Sequence, residues 1–139
     1  MFERILLIYP HKVRPGGKIR PPYLGLEYLA ANIEDIVNEI KIVDMQFSNK
    51  VIATIEKFQP DLIGISWLFT SRINEIEEML NLTSKHDIYT VVGGMVPTLC
   101  PDYVLSDNRI DAIIRGEGEE TLRQFVKEGK PDKISGISF

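Results

Sequence analysis

The sequence is poor in the residues that build disulfides and metal clusters. Its 139 residues include one cysteine, Cys100, and two histidines. A single cysteine excludes a disulfide within the chain, and it cannot by itself form a zinc knuckle or hold an iron–sulfur cluster. Without a disulfide framework nothing indicates secretion, so we expect a protein of the reducing cytoplasm.

Long apolar runs and an excess of basic residues are also missing. The longest apolar runs span about five to seven residues, far short of the roughly 20 that cross a membrane. The chain carries 16 Lys and Arg against 20 Asp and Glu, a net charge of −4. Nucleic-acid binding needs a basic surface. We therefore expect neither a membrane span nor a nucleic-acid partner.

Short apolar runs alternate with amphipathic stretches along the whole chain. The apolar runs predict six strands, at residues 5–8, 40–43, 62–66, 90–92, 110–114 and 134–139. Apolar residues at helical spacing predict five helices, over residues 23–37, 52–58, 73–82, 103–105 and 122–126. Continuous apolar strands are typical of parallel sheets that are covered on both faces. The alternation therefore predicts an α/β fold with a doubly wound, mostly parallel, Rossmann- or flavodoxin-like sheet.

The chain ends within the sixth predicted strand, and it contains no linker, repeat or low-complexity segment. Its length suffices for one domain with a single core. We expect residues 1–139 to form one domain that belongs to a longer protein.

In a doubly wound sheet, ligands bind beyond the carboxyl ends of the strands, and the first such end is followed by a long basic loop. Pro10–Pro22 holds four Lys and Arg and no acid over thirteen residues. The usual connection is about two to six residues, and longer loops tend to be functional. The loop is either a clamp for an anion or cofactor or a solvated segment. Within it, His11 is a candidate metal ligand, although its partners are not visible in the sequence.

Small residues follow the next strands. Ser66 leaves room for a ligand and offers a hydroxyl group, whereas Trp67 either stacks on a planar ligand or covers the sheet, and the latter is favoured. Gly93 and Gly94 let a ligand approach the backbone, ahead of a helix expected near Pro97.

The end of the fifth strand is rich in glycine and glutamate. The run Arg115–Thr121 lacks the third glycine of a dinucleotide fingerprint, and its acids are also typical of a helix start. Cys100, between Leu99 and Pro101, is expected to be a small buried residue rather than a nucleophile.

Taken together, these segments resemble a known family. They are Ile5–Pro10, Pro22–Ala31, Pro60–Ser66, Val91–Gly94 with Pro97-Thr98, Asp111–Leu122 and Ile134–Ile137. The chain resembles the cobalamin-binding domain at the N-terminus of cobalamin-dependent radical S-adenosylmethionine (radical SAM) enzymes, a group that includes the anaerobic magnesium-protoporphyrin monomethyl ester oxidative cyclases.

Wider cobalamin-binding proteins carry the motifs DxHxxG, SxL and GG after the first, third and fourth strands. Ser66-Trp67-Leu68 fits the second motif and Gly93-Gly94 the third. The first is incomplete because no aspartate precedes His11 at the required spacing and Arg14 stands where the glycine falls. The group often has a histidine where Val96 stands.

The resemblance implies a module that presents cobalamin (vitamin B12) to a radical SAM domain of the same polypeptide and is not catalytic alone. It implies methyl transfer or oxidative ring formation in the parent enzyme, which would also use S-adenosylmethionine and a 4Fe–4S cluster. The implied cofactor contacts are Pro10, His11, Ser66, Trp67, Leu68, Gly93, Gly94, Met95, Val96, Gly116, Glu117 and Gly118.

Two alternatives remain open. A domain of this fold could have lost the cofactor and serve as a regulatory or interaction module, a possibility that the missing aspartate keeps open. It could also be a flavodoxin-like flavin binder, although residues 10–17 lack the serine and threonine of a flavin phosphate loop.

Overall fold

The computed structural model describes residues 1–139, which form six strands and six helices. The strands are Arg4–Tyr9 (β1), Glu39–Asp44 (β2), Leu62–Ser66 (β3), Tyr89–Gly93 (β4), Ala112–Ile114 (β5) and Ile137–Ser138 (β6). The helices are Leu24–Ile33 (α1), Val51–Phe58 (α2), Ile73–Thr83 (α3), Met95–Leu99 (α4), Pro101–Leu105 (α5) and Glu119–Glu128 (α6). No helix is long and apolar enough to cross a membrane.

The strands form one sheet in the order β2-β1-β3-β4-β5-β6. The pairs from β2 to β5 are parallel, whereas β6 pairs antiparallel with β5. The chain moves outward from β1 to β2 and then crosses to the other side of β1 to start β3. This reversal is the switch point at which doubly wound sheets open a crevice. The predicted α/β fold with a mostly parallel sheet is confirmed.

Strand side chains alternate between two hydrophobic cores because successive residues point to opposite faces of a sheet. Leu6 and Ile8 belong to one core, which α2, α3 and α5 cover. Ile5 and Leu7 belong to the other, which α1 and α6 cover. Both faces of the sheet are therefore buried, as the continuous apolar strands predicted.

Some predicted boundaries are wrong. The sixth strand covers only Ile137–Ser138, because Pro131–Lys133 forms a 3₁₀ turn and Gly136 has a positive φ of 87°. The first helix ends at Ile33, short of Val37.

Two expectations near the fourth strand are also corrected. The helix after β4 begins at Met95, not near Pro97, because Gly94 already caps it with a φ of 116°. Cys100 is exposed rather than buried. It lies at the junction of α4 and α5, where its amide N–H donates to Val96 O at 2.8 Å.

Candidate ligand site at the carboxyl edge of the sheet

A cavity of about 240 Å³ opens at the switch point, on the face that α1 and α6 cover. Its floor is made by β1, β3, β4 and β5, and three of the floor residues are small: Gly64, Ser66 and Gly93. Gly64 and Ser66 point to one face because they are two residues apart. Ser66 pairs with Gly93 in the neighbouring strand, so the small residues are contiguous. Because these residues are small, space remains between the sheet and the covering helices α1 and α6.

The walls of the cavity come from the two covering helices. Tyr23, Leu26 and Leu29 contribute apolar surface from the α1 side, and Leu122 contributes it from α6. The loop between β5 and α6 closes one end with Gly116, Glu117 and Gly118. The cavity is thus mostly apolar with a few polar groups at its mouth, which is typical of a small-molecule site.

Hydrogen bonds hold α1 and α6 together over the cavity. The Asn32 side-chain amide donates to the Glu119 carbonyl at 2.6 Å. The Arg123 guanidinium makes a two-pronged contact with Asp35, at 2.5 and 2.8 Å, and also donates to the Asn32 carbonyl. Arg123 lowers the pKa of Asp35 chiefly through this hydrogen bond. The spacing of the walls is therefore fixed by polar contacts beside the cavity.

Gly94 shapes the rim of the cavity through its backbone. Its φ is 116°, and a Cβ there would lie 2.7 Å from the Trp67 carbonyl oxygen. This close approach lets Val96 N–H donate to Trp67 O at 3.1 Å, which ties the start of α4 to the end of β3. Only glycine takes this conformation without strain.

Thr98 joins the loops that follow β4 and β5. Its hydroxyl donates to the Gly94 carbonyl at 2.7 Å and accepts a hydrogen bond from the Gly116 amide at 2.9 Å. Gly94 and Gly116 both line the cavity. Thr98 therefore positions the two glycine loops relative to each other, a role that its place in the sequence did not reveal.

The cavity brings together half of the residues that the sequence predicted as cofactor contacts. These are Ser66, Gly93, Gly94, Gly116, Glu117 and Gly118. Ser66 is only 5% exposed. They come from the ends of three strands, which meet at one edge because the strands are parallel.

The structure places the other half elsewhere: Pro10, His11, Trp67, Leu68, Met95 and Val96. Trp67 and Val96 are buried in the core of the opposite face, because Trp67 follows Ser66 and must point away from it. The Trp67 indole N–H donates to the Phe69 carbonyl at 3.0 Å. Met95 is exposed, and Leu68 is half-buried.

His11 lies in a separate cleft and not in the cavity. Its side chain is 3% exposed, and neither ring nitrogen has a hydrogen-bond partner. Burial lowers the pKa of His11 from 6.5 to about 4, against an opposing contribution from Glu75, whose carboxylate lies 3.9 Å from Nδ1. No group of three or more His, Cys, Asp or Glu side chains is arranged to hold a metal ion.

Gly64 is central to the cavity floor but was not among the predicted contacts. A Cβ at this position would lie 2.7 Å from Leu7 Cδ2, so any side chain would enter the cavity or displace Leu7. A signal was present, since glycine inside a strand often marks a close approach by a ligand. Its spacing of two residues from Ser66 placed both on one face.

The chain matches the B12-binding domain family over residues 19–126. It is 32% identical to an uncharacterized methyltransferase of Pyrococcus horikoshii, over 98% of this chain and 32% of that protein. It is 30% identical to the anaerobic magnesium-protoporphyrin IX monomethyl ester cyclase of Rubrivivax gelatinosus, over 88% of this chain and 24% of that protein. This chain thus spans about a third or less of the length of these relatives.

The structure is similar to that of the cobalamin-dependent S-adenosylmethionine radical enzyme OxsB with aqua-cobalamin bound. The TM-score is 0.83 at 25% identity, over 99% of this chain and 20% of that enzyme. The chain belongs to the B12-binding domain family. Within it, the resemblance to the domains of cobalamin-dependent radical SAM enzymes is confirmed.

Proposed function

We propose that this chain binds cobalamin and holds the nucleotide tail of the cofactor in the glycine-floored cavity. The observation that carries the proposal is the cavity itself, which opens at the switch point of a B12-binding domain and is floored by Gly64, Ser66 and Gly93. A planar base needs a flat slot without projecting side chains, and these residues supply it. The fit is therefore set by the small size of these floor residues rather than by a ligand set for the metal.

Each wall of the cavity has a role in this proposal. Leu26, Leu29 and Leu122 bury the apolar faces of the base. The buried Ser66 hydroxyl offers a donor and an acceptor to the ring nitrogen or the ribose. The loop of Gly116–Gly118 flanks the tail where it leaves the cavity.

The cofactor would supply chemistry that no side chain of this domain offers, and the domain would bind and orient it. In the parent protein we propose a radical SAM domain in the same polypeptide, with S-adenosylmethionine and a 4Fe–4S cluster. Methyl transfer and oxidative ring formation both fit the relatives, which include a methyltransferase and a cyclase by name.

The direct test mixes the purified chain with hydroxocobalamin, removes free ligand by desalting, and records the visible spectrum. We expect corrin absorbance to elute with the protein. Cobinamide, which has the corrin but no nucleotide tail, serves as the matched ligand and should bind more weakly. Equal retention of the two would contradict a tail in the cavity. Flavin mononucleotide tests the alternative flavin site.

If the folded chain retains no corrin at all, the result favours the alternative of a cofactor-free interaction module. Circular dichroism of the same sample shows whether the chain is folded. In that case the cavity stays a structural feature without the proposed ligand.

A further inference from the structure

A second concave site lies beside the first and shares no residue with it. It is a cleft of about 740 Å³ between the loop that follows β1 and the start of α3. We call it the basic cleft. Its lining residues include Lys12, Arg14, Lys18, Arg20 and Arg72. None of its lining residues is acidic.

Three of these cations have no acidic partner. Glu78 pairs with Lys12 at 2.9 Å and Glu75 pairs with Arg72, both from outside the cleft. Arg14, Lys18 and Arg20 make no ion pair; Arg14 instead donates to the Ser71 carbonyl at 3.3 Å. Because like charges repel, three unpaired cations around one cleft favour a bound anion.

The wall of the basic cleft also contains a buried polar group without a partner. His11 is 3% exposed, and both of its ring nitrogens lack a hydrogen bond. Buried polar groups are nearly always satisfied, and an exception calls for an explanation. Because burial lowers its pKa to about 4, the imidazole is neutral at pH 7 and carries one N–H donor. A hydrogen-bond acceptor bound in the cleft, which His11 lines, would satisfy this donor.

The loop is anchored at both sides of the cleft, so the backbone that carries its cations is held in place. On the α3 side, the Lys12 amide donates to the Glu75 carboxylate at 2.6 Å, and the Arg72 guanidinium donates to the Lys12 carbonyl. On the β2 side, the Arg20 amide donates to the Gln46 side chain at 3.1 Å. A fixed loop loses less entropy when it binds a ligand than a mobile one does.

Aromatic side chains border the same space. Tyr9 packs edge-on against His11 at 5.1 Å between ring centroids, and Phe69 lies 6.0 Å from His11. Phe69 is 48% exposed. The cleft therefore offers an apolar surface next to its cations, which suits an anionic group on an organic molecule better than a bare ion.

We propose that the basic cleft binds the phosphate group of a small organic molecule, with Arg14, Lys18 and Arg20 as charged donors and His11 as a neutral one. The phosphate could belong to a free phosphate ester or to the phosphodiester in the tail of cobalamin. The cleft and the cavity share no lining residue, so phosphate binding in the cleft can be tested separately from cobalamin binding in the cavity.

The test uses the whole chain and its two histidines. Inorganic phosphate is titrated against an equal ionic strength of chloride, while the imidazole NMR signals of His11 and His86 are followed. We expect a saturable shift of the His11 signal and a rise in its pKa, with the His86 signal unchanged as the internal control. Equal small shifts of both histidines in phosphate and chloride would overturn the proposal.

A variant with Arg14→Ala, Lys18→Ala and Arg20→Ala tests the cations without touching the core, because all three are exposed. We expect phosphate binding to weaken by about tenfold or more through loss of charge-assisted contacts. The matched control replaces Lys85, Lys127 and Lys130 with alanine, which changes the net charge equally away from the cleft. Equal weakening in both variants would refute a specific site and indicate a net-charge effect.

The source of the phosphate is decided by competition. Phenyl phosphate is titrated against the chain before and after the chain is loaded with hydroxocobalamin. If its affinity is the same in both cases, the ligand of the cleft is a free phosphate ester. If the two compete, the tail of cobalamin occupies the cleft. If the chain without cobalamin binds no phosphate but still takes up cobalamin in the desalting test, this inference alone is rejected. If the chain binds phosphate but takes up no cobalamin, the proposed function alone is rejected.

Discussion

Replacing Gly93 with valine fills the proposed cobalamin cavity without disturbing the backbone. Gly93 has no positive φ, so its conformation suits any residue. An added Cβ would lie 3.8 Å from Ile114 O and 4.0 Å from Ile114 Cβ, which is ordinary contact. Gly93 lies on the cavity face of β4, two residues after Val91. The new side chain therefore projects into the cavity.

The expected effects on stability and on binding have opposite signs. Valine favours strands, and replacing glycine restricts the unfolded chain, so the free energy of unfolding should stay the same or rise by about 0.5–1 kcal/mol. Three added carbons occupy space that ligand carbons would take. At about 0.8 kcal/mol for each buried carbon, the ligand loses about 2.4 kcal/mol, or roughly 50-fold in affinity.

The assay measures both quantities on the same protein. Urea unfolding gives the stability, and spectroscopic titration with hydroxocobalamin gives the affinity. Thr90→Val is the control, because it places valine on the same strand but on the opposite face, away from the cavity. Wild-type cobalamin affinity in a folded Gly93→Val variant would refute the placement of the nucleotide tail.

Three other substitutions test the site and its surroundings. Gly94→Ala should lower the free energy of unfolding by roughly 1–3 kcal/mol, measured by urea unfolding, because its Cβ would meet the Trp67 carbonyl at a φ of 116°. Thr98→Val removes the hydrogen bonds of the hydroxyl group to Gly94 and Gly116 and should cost about 1 kcal/mol of stability. The cobalamin affinity of the folded variant, measured by the same titration, should also fall. Burial lowers the pKa of His11 from 6.5 to about 4, so the unfolded chain gains a proton first and stability should fall by about 3 kcal/mol between pH 6.5 and pH 4. His11→Gln should flatten that part of the pH profile of urea unfolding, and a profile that keeps its slope would contradict the buried neutral imidazole. The same variant should leave the spectrum of bound cobalamin unchanged, because the chain lacks the aspartate that would orient His11 as a cobalt ligand; a shifted spectrum would indicate cobalt ligation.

The sheet could be predicted from the sequence because its strands are short apolar runs with helical patterns between them. Runs such as Leu62–Ser66 favour a strand, because they are too short for a typical helix and follow a breaker such as Pro60-Asp61. The sixth strand was predicted but drawn too long, because its two residues are defined by pairing with β5 and not by a local pattern. Cys100 was misplaced for a similar reason, since its exposure depends on the break between α4 and α5.

The candidate site was half predictable, and the missing half follows from the alternation of strand side chains. The ends of strands identified the correct edge of the sheet, but they do not distinguish its two faces. Ser66 faces the cavity, so Trp67 must face the opposite core, although the two are adjacent in one motif. Gly64 lies two residues before Ser66 and so faces the same side of the sheet. Gly93 pairs with Ser66 in the neighbouring strand and faces that side too.

The two proposed sites at this edge follow from the same reversal of the chain at β1. One cavity lies beneath α1 and α6, where the floor has small residues. The basic cleft lies on the other side of the β1 end, where the long loop is pinned to α3 through Glu75. Their chemistry differs because the cavity is mostly apolar, whereas the basic cleft is lined by cations. A ligand with an apolar base and an anionic group could use both, which is why competition between cobalamin and a phosphate ester, rather than either affinity alone, decides whether this edge of the sheet holds one ligand or two.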